Sequence, residues 1–248
     1  PAQIDLIKKI CKKYNLILIE DTAWGCGAKF KGKYLGTWGE MGAFSFDFAK
    51  TITTGEGGMI LFNSKKKFLS AKAWHDHGHE NNPKVPRWED TRKGSGFNYR
   101  MTEMQAAVGL AQLSKLDYII KKQRENHDKI WNKINKIPKI KKRFYPKLSF
   151  ISADALIFFV KSKKLALKCR KMLLKKKIST KILPEAYTWH FAREFTHIKS
   201  LFKKHRNLKK SFQTSHSLLQ KAVSLPIFVK MEKSKILQIE KALISALK

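Results

Sequence analysis

Lys50 is set between two apolar runs. Ala43 to Phe46 precede it and Met59 to Phe62 follow, with the small-residue turn Thr53-Thr54-Gly55-Glu56-Gly57-Gly58 in between. A lysine amine held between buried strands is costly unless it is neutralised or bonded. A Schiff base with an aldehyde cofactor meets that demand, and the three glycines allow close backbone approach. About thirty residues upstream, Leu16 to Ile19 reads as a fully buried strand with Glu20-Asp21 at its end. Carboxylates at the C-terminal edge of a parallel strand lie where α/β proteins place their ligands. An Asp facing a pyridine nitrogen keeps that nitrogen protonated, so the ring can accept electrons from a carbanion. Asp21 and Lys50 together therefore point to pyridoxal phosphate (PLP).

The elements that must position these residues are legible from periodicity. Ile4, Ile7, Ile10 and Cys11 repeat at helical spacing and predict a helix over 2–14, packed on the sheet and feeding the Leu16–Ile19 strand. Residues 29–36 read as a hairpin around Lys31-Gly32. A helix over 65–75 is expected to turn Phe68, Leu69 and Trp74 inward. Residues 75–98, with prolines, glycines and little periodicity, read as a long functional loop. From Thr102, a capping residue, one long helix is expected to run to about 134 and to join two domains, 1–115 and 116–248. Beyond Pro138 the expected elements are a strand at 155–160, a helix at 163–176, strands at 178–183 and 222–225, and a closing helix at 231–247. The class is α/β.

Four segments in order, EDTAWGCGA, GTWGEMGAFSF, Lys50 followed by TTGEGG, and SGFNYRMTEMQAAVGLAQL, resemble the DegT/DnrJ/EryC1/StrS sugar aminotransferases. The resemblance implies PLP-dependent transferase fold type I, like aspartate aminotransferase. Residues 1–115 would then be the C-terminal part of the large PLP-binding domain with its mixed sheet, and 116–248 the small domain. By the same resemblance Lys50 anchors the cofactor, and its identity as Lys favours transamination over the dehydration of members that carry His there. Asp21 would bind the pyridine nitrogen and the Ser45 hydroxyl the phosphate. Trp24 stands beside the ring where the family usually has Gln or His. Asn98 would reach the phosphate of a neighbouring subunit and Arg100 would shape that neighbour's site, which implies a homodimer with shared active sites. His190, in AYTWHF, is placed where small-domain residues overhang the site and could contact substrate. The substrates would be an amino acid donor, glutamate above all, and a keto sugar: a nucleotide-linked hexose or an 8-keto octulosonate used in cell-surface polysaccharide or lipopolysaccharide synthesis. Family members carry well over a hundred further residues before this point, so the chain is expected to be the C-terminal part of a longer protein. The missing part would supply an aromatic that stacks on the ring and some phosphate-binding backbone.

Composition sets the competing readings. The net charge of +33, from 52 basic and 19 acidic residues, would ordinarily suggest nucleic acid. However, only 8 of the 52 are Arg, the usual reader of bases, and the lysines are spread as solvated helix faces. No nucleic-acid partner is therefore expected, although a basic nucleic-acid binder is one alternative and a non-catalytic scaffold of the same fold is another. The run His75-x-His77-x-His79 invites a metal, but its spacing lacks a fourth ligand, so no metal is expected. Cys11, Cys26 and Cys169 show no CxxC or other metal spacing, and an odd, sparse set suits a reducing compartment. No apolar run reaches membrane-spanning length, and a cytoplasmic location without membrane insertion is expected.

Overall fold

The computed structural model describes residues 1–189 and 191–248. The chain forms two compact units, Pro1–Ile120 with Tyr145–Ser152, and Lys121–Phe144 with Ala153–Lys248. In chain order the first unit begins with helix α1 (Ile4–Lys13) and strand β1 (Ile19–Asp21). The short hairpin β2 (Lys29–Phe30) and β3 (Lys33–Tyr34) follows, then β4 (Met41–Ser45), β5 (Gly58–Phe62) and helix α2 (Lys65–Trp74). Helix α3 covers Glu103–Leu113, and α4 (Leu116–Ile134) carries the chain across the boundary between the units.

The sheet that carries the site has the order β1-β4-β5, with β1 parallel to β4 and β5 antiparallel to it. Glu20 organises the return from β1 to β4. Its buried carboxylate accepts the backbone N–H groups of Gly36 at 2.7 Å, Trp38 at 2.6 Å and Gly39 at 2.7 Å. Three charge-assisted bonds satisfy donors that a tight turn would otherwise leave unpaired. Gly42 must be glycine for the same packing: a Cβ there would sit 2.1 Å from the Gly36 carbonyl oxygen. The expected hairpin around Lys31-Gly32 forms, with Lys31 at φ 48° and Gly32 at φ 77°.

Several expected burials do not occur in this unit. The strand expected at Leu16–Ile19 instead spans Ile19–Asp21, and Leu16, Ile17 and Ile19 are exposed. In α1 only Ile4 is buried; Ile7 and Ile10 face outward. Phe68, Leu69 and Trp74 of α2 are each close to half exposed, and β5 shows most of its side chains. The apolar pattern is real, but among the described residues those faces stay largely uncovered. The single helix expected over 102–134 is two. Thr102 caps α3 with a full capping box to Gln105, and the helix ends where the Ser114 hydroxyl donates to the Ala111 carbonyl at 3.0 Å.

In the second unit β6 (Lys141–Lys142), β8 (Ala155–Phe159) and β9 (Ala222–Pro226) form an antiparallel sheet, whereas β7 (Ser149–Phe150) returns to pair with β2 of the first. Helices α5 (Lys163–Lys175) and α8 (Lys233–Leu247) pack with this sheet. The short α6 (Lys199–Lys204) and α7 (Gln213–Gln220) lie in the connection to β9. The sheet, α5 and α8 share one apolar core, with Phe158, Leu173, Leu225 and Leu243 fully buried. The strand expected at 178–183 is irregular backbone. Lys181 N–H donates to the Ser224 carbonyl and Ser224 N–H to the Leu183 carbonyl, but Ile182 at φ 70° breaks the ladder.

Candidate active site

Asp21 is the last residue of β1 and stands in register with Ala43 of β4. Its Oδ1 accepts the Ala23 N–H at 3.1 Å, and Gly25 N–H donates to the Thr22 carbonyl at 2.8 Å. This small turn carries the Trp24 ring centroid to within 3.6 Å of Lys50 Nζ. Two residues past Ala43, on the same face of β4, lies Ser45, whose Oγ accepts the Asp47 N–H at 3.4 Å. That contact uses an oxygen lone pair and leaves the hydroxyl hydrogen to donate.

The loop from β4 to β5 presents Lys50. It is closed by Phe46 N–H to the Gly57 carbonyl at 2.8 Å and Thr54 N–H to the Phe46 carbonyl at 2.9 Å. From α3, Gln105 Nε2 donates to the Glu56 carbonyl at 2.9 Å and fixes the loop from outside. The loop is also sterically full: a Cβ on Gly58 would meet the Phe44 carbonyl oxygen at 2.7 Å, and one on Gly57 would meet Thr54 Oγ1 at 2.7 Å. Within it the Lys50 side chain is only 9% exposed. Its Nζ lies 3.6 Å from the Trp24 ring centroid and 3.9 Å from Asp47 Oδ2. The lysine amine and the turn that follows Asp21 therefore meet at the same edge of the sheet.

Asn98 and Arg100 belong to a second cluster, built on the buried carboxylate of Asp76. Arg87 grips it with both terminal nitrogens, at 2.9 and 2.6 Å, and Arg100 Nε lies 3.5 Å away. Asn98 pairs with Asp76 through the backbone, and its Oδ1 accepts the Arg100 Nε–H at 3.0 Å. The Arg87 hydrogen bonds hold the Asp76 carboxyl down to about 2, against the opposing pull of burial. His79 is enclosed in the same loop, with Nδ1 3.3 Å from Asp90 Oδ2 and Nε2 3.1 Å from Arg92. Burial disfavours the Asp90 charge, but N–H bonds from Asn82 and Asn81, together with His79, outweigh it and keep the carboxyl below its usual range. His190 lies outside the described residues. Sequence reasoning missed Glu20 and Asp76 as organisers. The dense glycines at 36, 39 and 42 were a signal for the first; an acid among histidines gave none for the second.

Residues 1–244 match the DegT/DnrJ/EryC1/StrS aminotransferase family. The chain belongs to that family. Among DegT/DnrJ/EryC1/StrS relatives, the GDP-perosamine synthase of Escherichia coli O157:H7 is 42% identical over 142 residues, which are 57% of this chain and 38% of that protein. Among solved structures, the aminotransferase TlmJ from Streptoalloteichus hindustanus superposes with TM-score 0.84 at 18% identity, covering 100% of this chain and 63% of that one. The E. coli GDP-4-keto-6-deoxy-D-mannose-3-dehydratase, solved with bound hydrated PLP, gives TM-score 0.78 at 24% identity over 98% of this chain and 64% of that one. The fold is thus the one these two solved enzymes share, and this chain spans less than two thirds of the length of each protein named. Among the described residues, no helix is long and apolar enough to cross a membrane.

Proposed function

We propose that the protein to which this chain belongs is a PLP-dependent aminotransferase that moves an amino group from an amino acid, with glutamate the expected donor, to a keto sugar. The supporting observation is Lys50: a nearly buried amine on a glycine-bounded loop, 3.6 Å from the ring of the residue three positions after Asp21, in a chain of an aminotransferase family. The residues suit the cofactor. An amine, a strand-end carboxylate and a hydroxyl with a hydrogen to donate sit on the ends of β1 and β4 and on the loop after β4, and crowding by Thr54 at Gly57 and by the Phe44 carbonyl at Gly58 leaves no room for a Cβ at either position. PLP, when bound, supplies an aldehyde that links to amines and a ring that takes up electrons from the adjoining carbon.

The chain's own residues would then act as follows. Lys50 would hold the cofactor and, once released, its Nζ would take a proton off the donor's α-carbon as general base and deliver it, as general acid, to the cofactor's C4′ carbon. The Asp21 carboxylate holds the proton on the pyridine nitrogen. Ser45 Oγ donates to the phosphate, and Trp24 flanks the ring. Asn98 and Arg100, held together through Asp76, serve the site of a second subunit in a homodimer, and His190 serves substrate. The first unit acts as part of the cofactor-binding domain and the second as the small domain. GDP- and UDP-sugar enzymes among the relatives support a nucleotide-linked keto hexose, with an 8-keto octulosonate as the narrower option, in cytoplasmic synthesis of surface polysaccharide or lipopolysaccharide precursors.

The test is spectroscopic and chemical. The full-length protein with PLP should absorb in the visible, borohydride should bleach that band and fix the cofactor to Lys50, and Lys50→Ala should remove the adduct. A panel of nucleotide-linked keto sugars with glutamate should then reveal the substrate. Failure to aminate any of them would overturn the sugar assignment, and absence of the Lys50 adduct would overturn the whole reading.

A further inference from the structure

Where the family usually has Gln or His, position 24 of this chain carries an indole, which presents a ring face as well as an N–H. The Lys50 Nζ at 3.6 Å from its centroid is well inside cation–π range, and the lysine side chain is largely screened from water. We propose that the Trp24 ring face is the seat of the Lys50 ammonium, so that Trp24 sets how firmly the cofactor-anchoring amine holds its proton. An ammonium over an indole face is attracted by the ring quadrupole, and a neutral amine is not. The contact therefore favours the charged form, whereas desolvation of the lysine opposes it. Charged groups on the elements around it include Asp47, one third exposed with Oδ2 3.9 Å from the amine on the lysine's own loop, Glu56 further along that loop, Glu20, whose carboxylate is taken up by three N–H groups, and Asp21, at the strand end from which the Trp24 turn starts. Asp47 works in the same direction as the ring. A free amine must be unprotonated before it can attack an aldehyde, so this seat would govern the pH at which the cofactor is captured. That last consequence rests on the transaminase reading; the seat itself does not.

The experiment is trace acetylation of the full-length, cofactor-free protein across a pH series, with labelling of the peptide containing Lys50 read by mass spectrometry. The midpoint of reactivity against pH reports the proton affinity of that one amine, whatever its accessibility. In Trp24→Leu the midpoint should fall by about one pH unit, and in Trp24→Phe, which keeps a weaker ring face, by about half as much. Asp47→Asn should lower it by less than Trp24→Leu. If Trp24→Leu does not fold, Trp24→Gln removes the ring with a polar side chain and should show the same fall. An unchanged or raised midpoint without the ring, or a fall in Trp24→Phe as large as in Trp24→Leu, overturns the seat. Borohydride labelling of Lys50 by PLP is scored separately, so its failure would remove the functional reading and leave the midpoint result standing.

Discussion

Asp76 shows how a single carboxylate can be held charged by its neighbours. Arg87 supplies two short hydrogen bonds and Arg100 a nearby charge, and together they keep the carboxyl at about 2, below its ordinary 3.8. An acid whose folded value is depressed contributes stability that is fully present above the unfolded value and is lost as pH falls through the folded one. Asp76 should therefore help stabilise the loop above about pH 4, and that help should fade between about pH 4 and pH 2. Asp76→Asn should flatten this limb of an acid-unfolding curve followed by circular dichroism, and a limb as steep as in the unchanged protein would refute the assignment. Lys50 is the complementary case, since its place on a loop between two strands was legible in the spacing of glycines and apolar runs around it. Its contact with Trp24 was not, because sequence placed Trp24 beside a ring and gave no hint that it would meet the amine.

At the scale of elements, the return from β1 to β4 depends on Glu20 and on the glycines packed around it. Glu20→Gln replaces an acceptor-only group by an amide whose NH2 faces one of three N–H donors, so a cost of about 1–3 kcal/mol is expected. Gly42→Ala should cost at least as much, because its Cβ would meet a backbone carbonyl oxygen at 2.1 Å, which cannot move aside as a flexible side chain could. Urea unfolding followed by the tryptophan signal would check both, and a change under about 0.5 kcal/mol in either would mean the turn is held by other contacts. The helix over 102–134 illustrates the limit of pattern reading. The apolar period continues through Ser114, but a hydroxyl that bonds to a carbonyl in its own turn is a local event that periodicity does not record.

Across the whole molecule the two units differ in kind. The second has a closed core, in which Phe158, Leu156 and Leu243 are almost wholly buried between sheet and helices. Phe158→Ala should destabilise it by about 3–5 kcal/mol, through lost transfer energy and the cavity left behind. A denaturant midpoint that barely moves would contradict the core assignment. The first unit leaves Leu16, Ile17 and Ile60 exposed, so its apolar pattern tells which faces are made for burial without telling what buries them. By itself the sequence determined the α/β class, the strand–loop–strand around Lys50, the hairpin at Lys31-Gly32 and the cap at Thr102, because each depends on local spacing, glycine freedom or a side chain bonding to its own turn. Only the tertiary structure decided that Trp24 lies under the Lys50 amine, that Glu20 serves three N–H groups and that Asp76 gathers Arg87 and Arg100. Those contacts join residues 11 to 26 positions apart along the chain, and no local pattern encodes how the folded chain brings them within 4 Å.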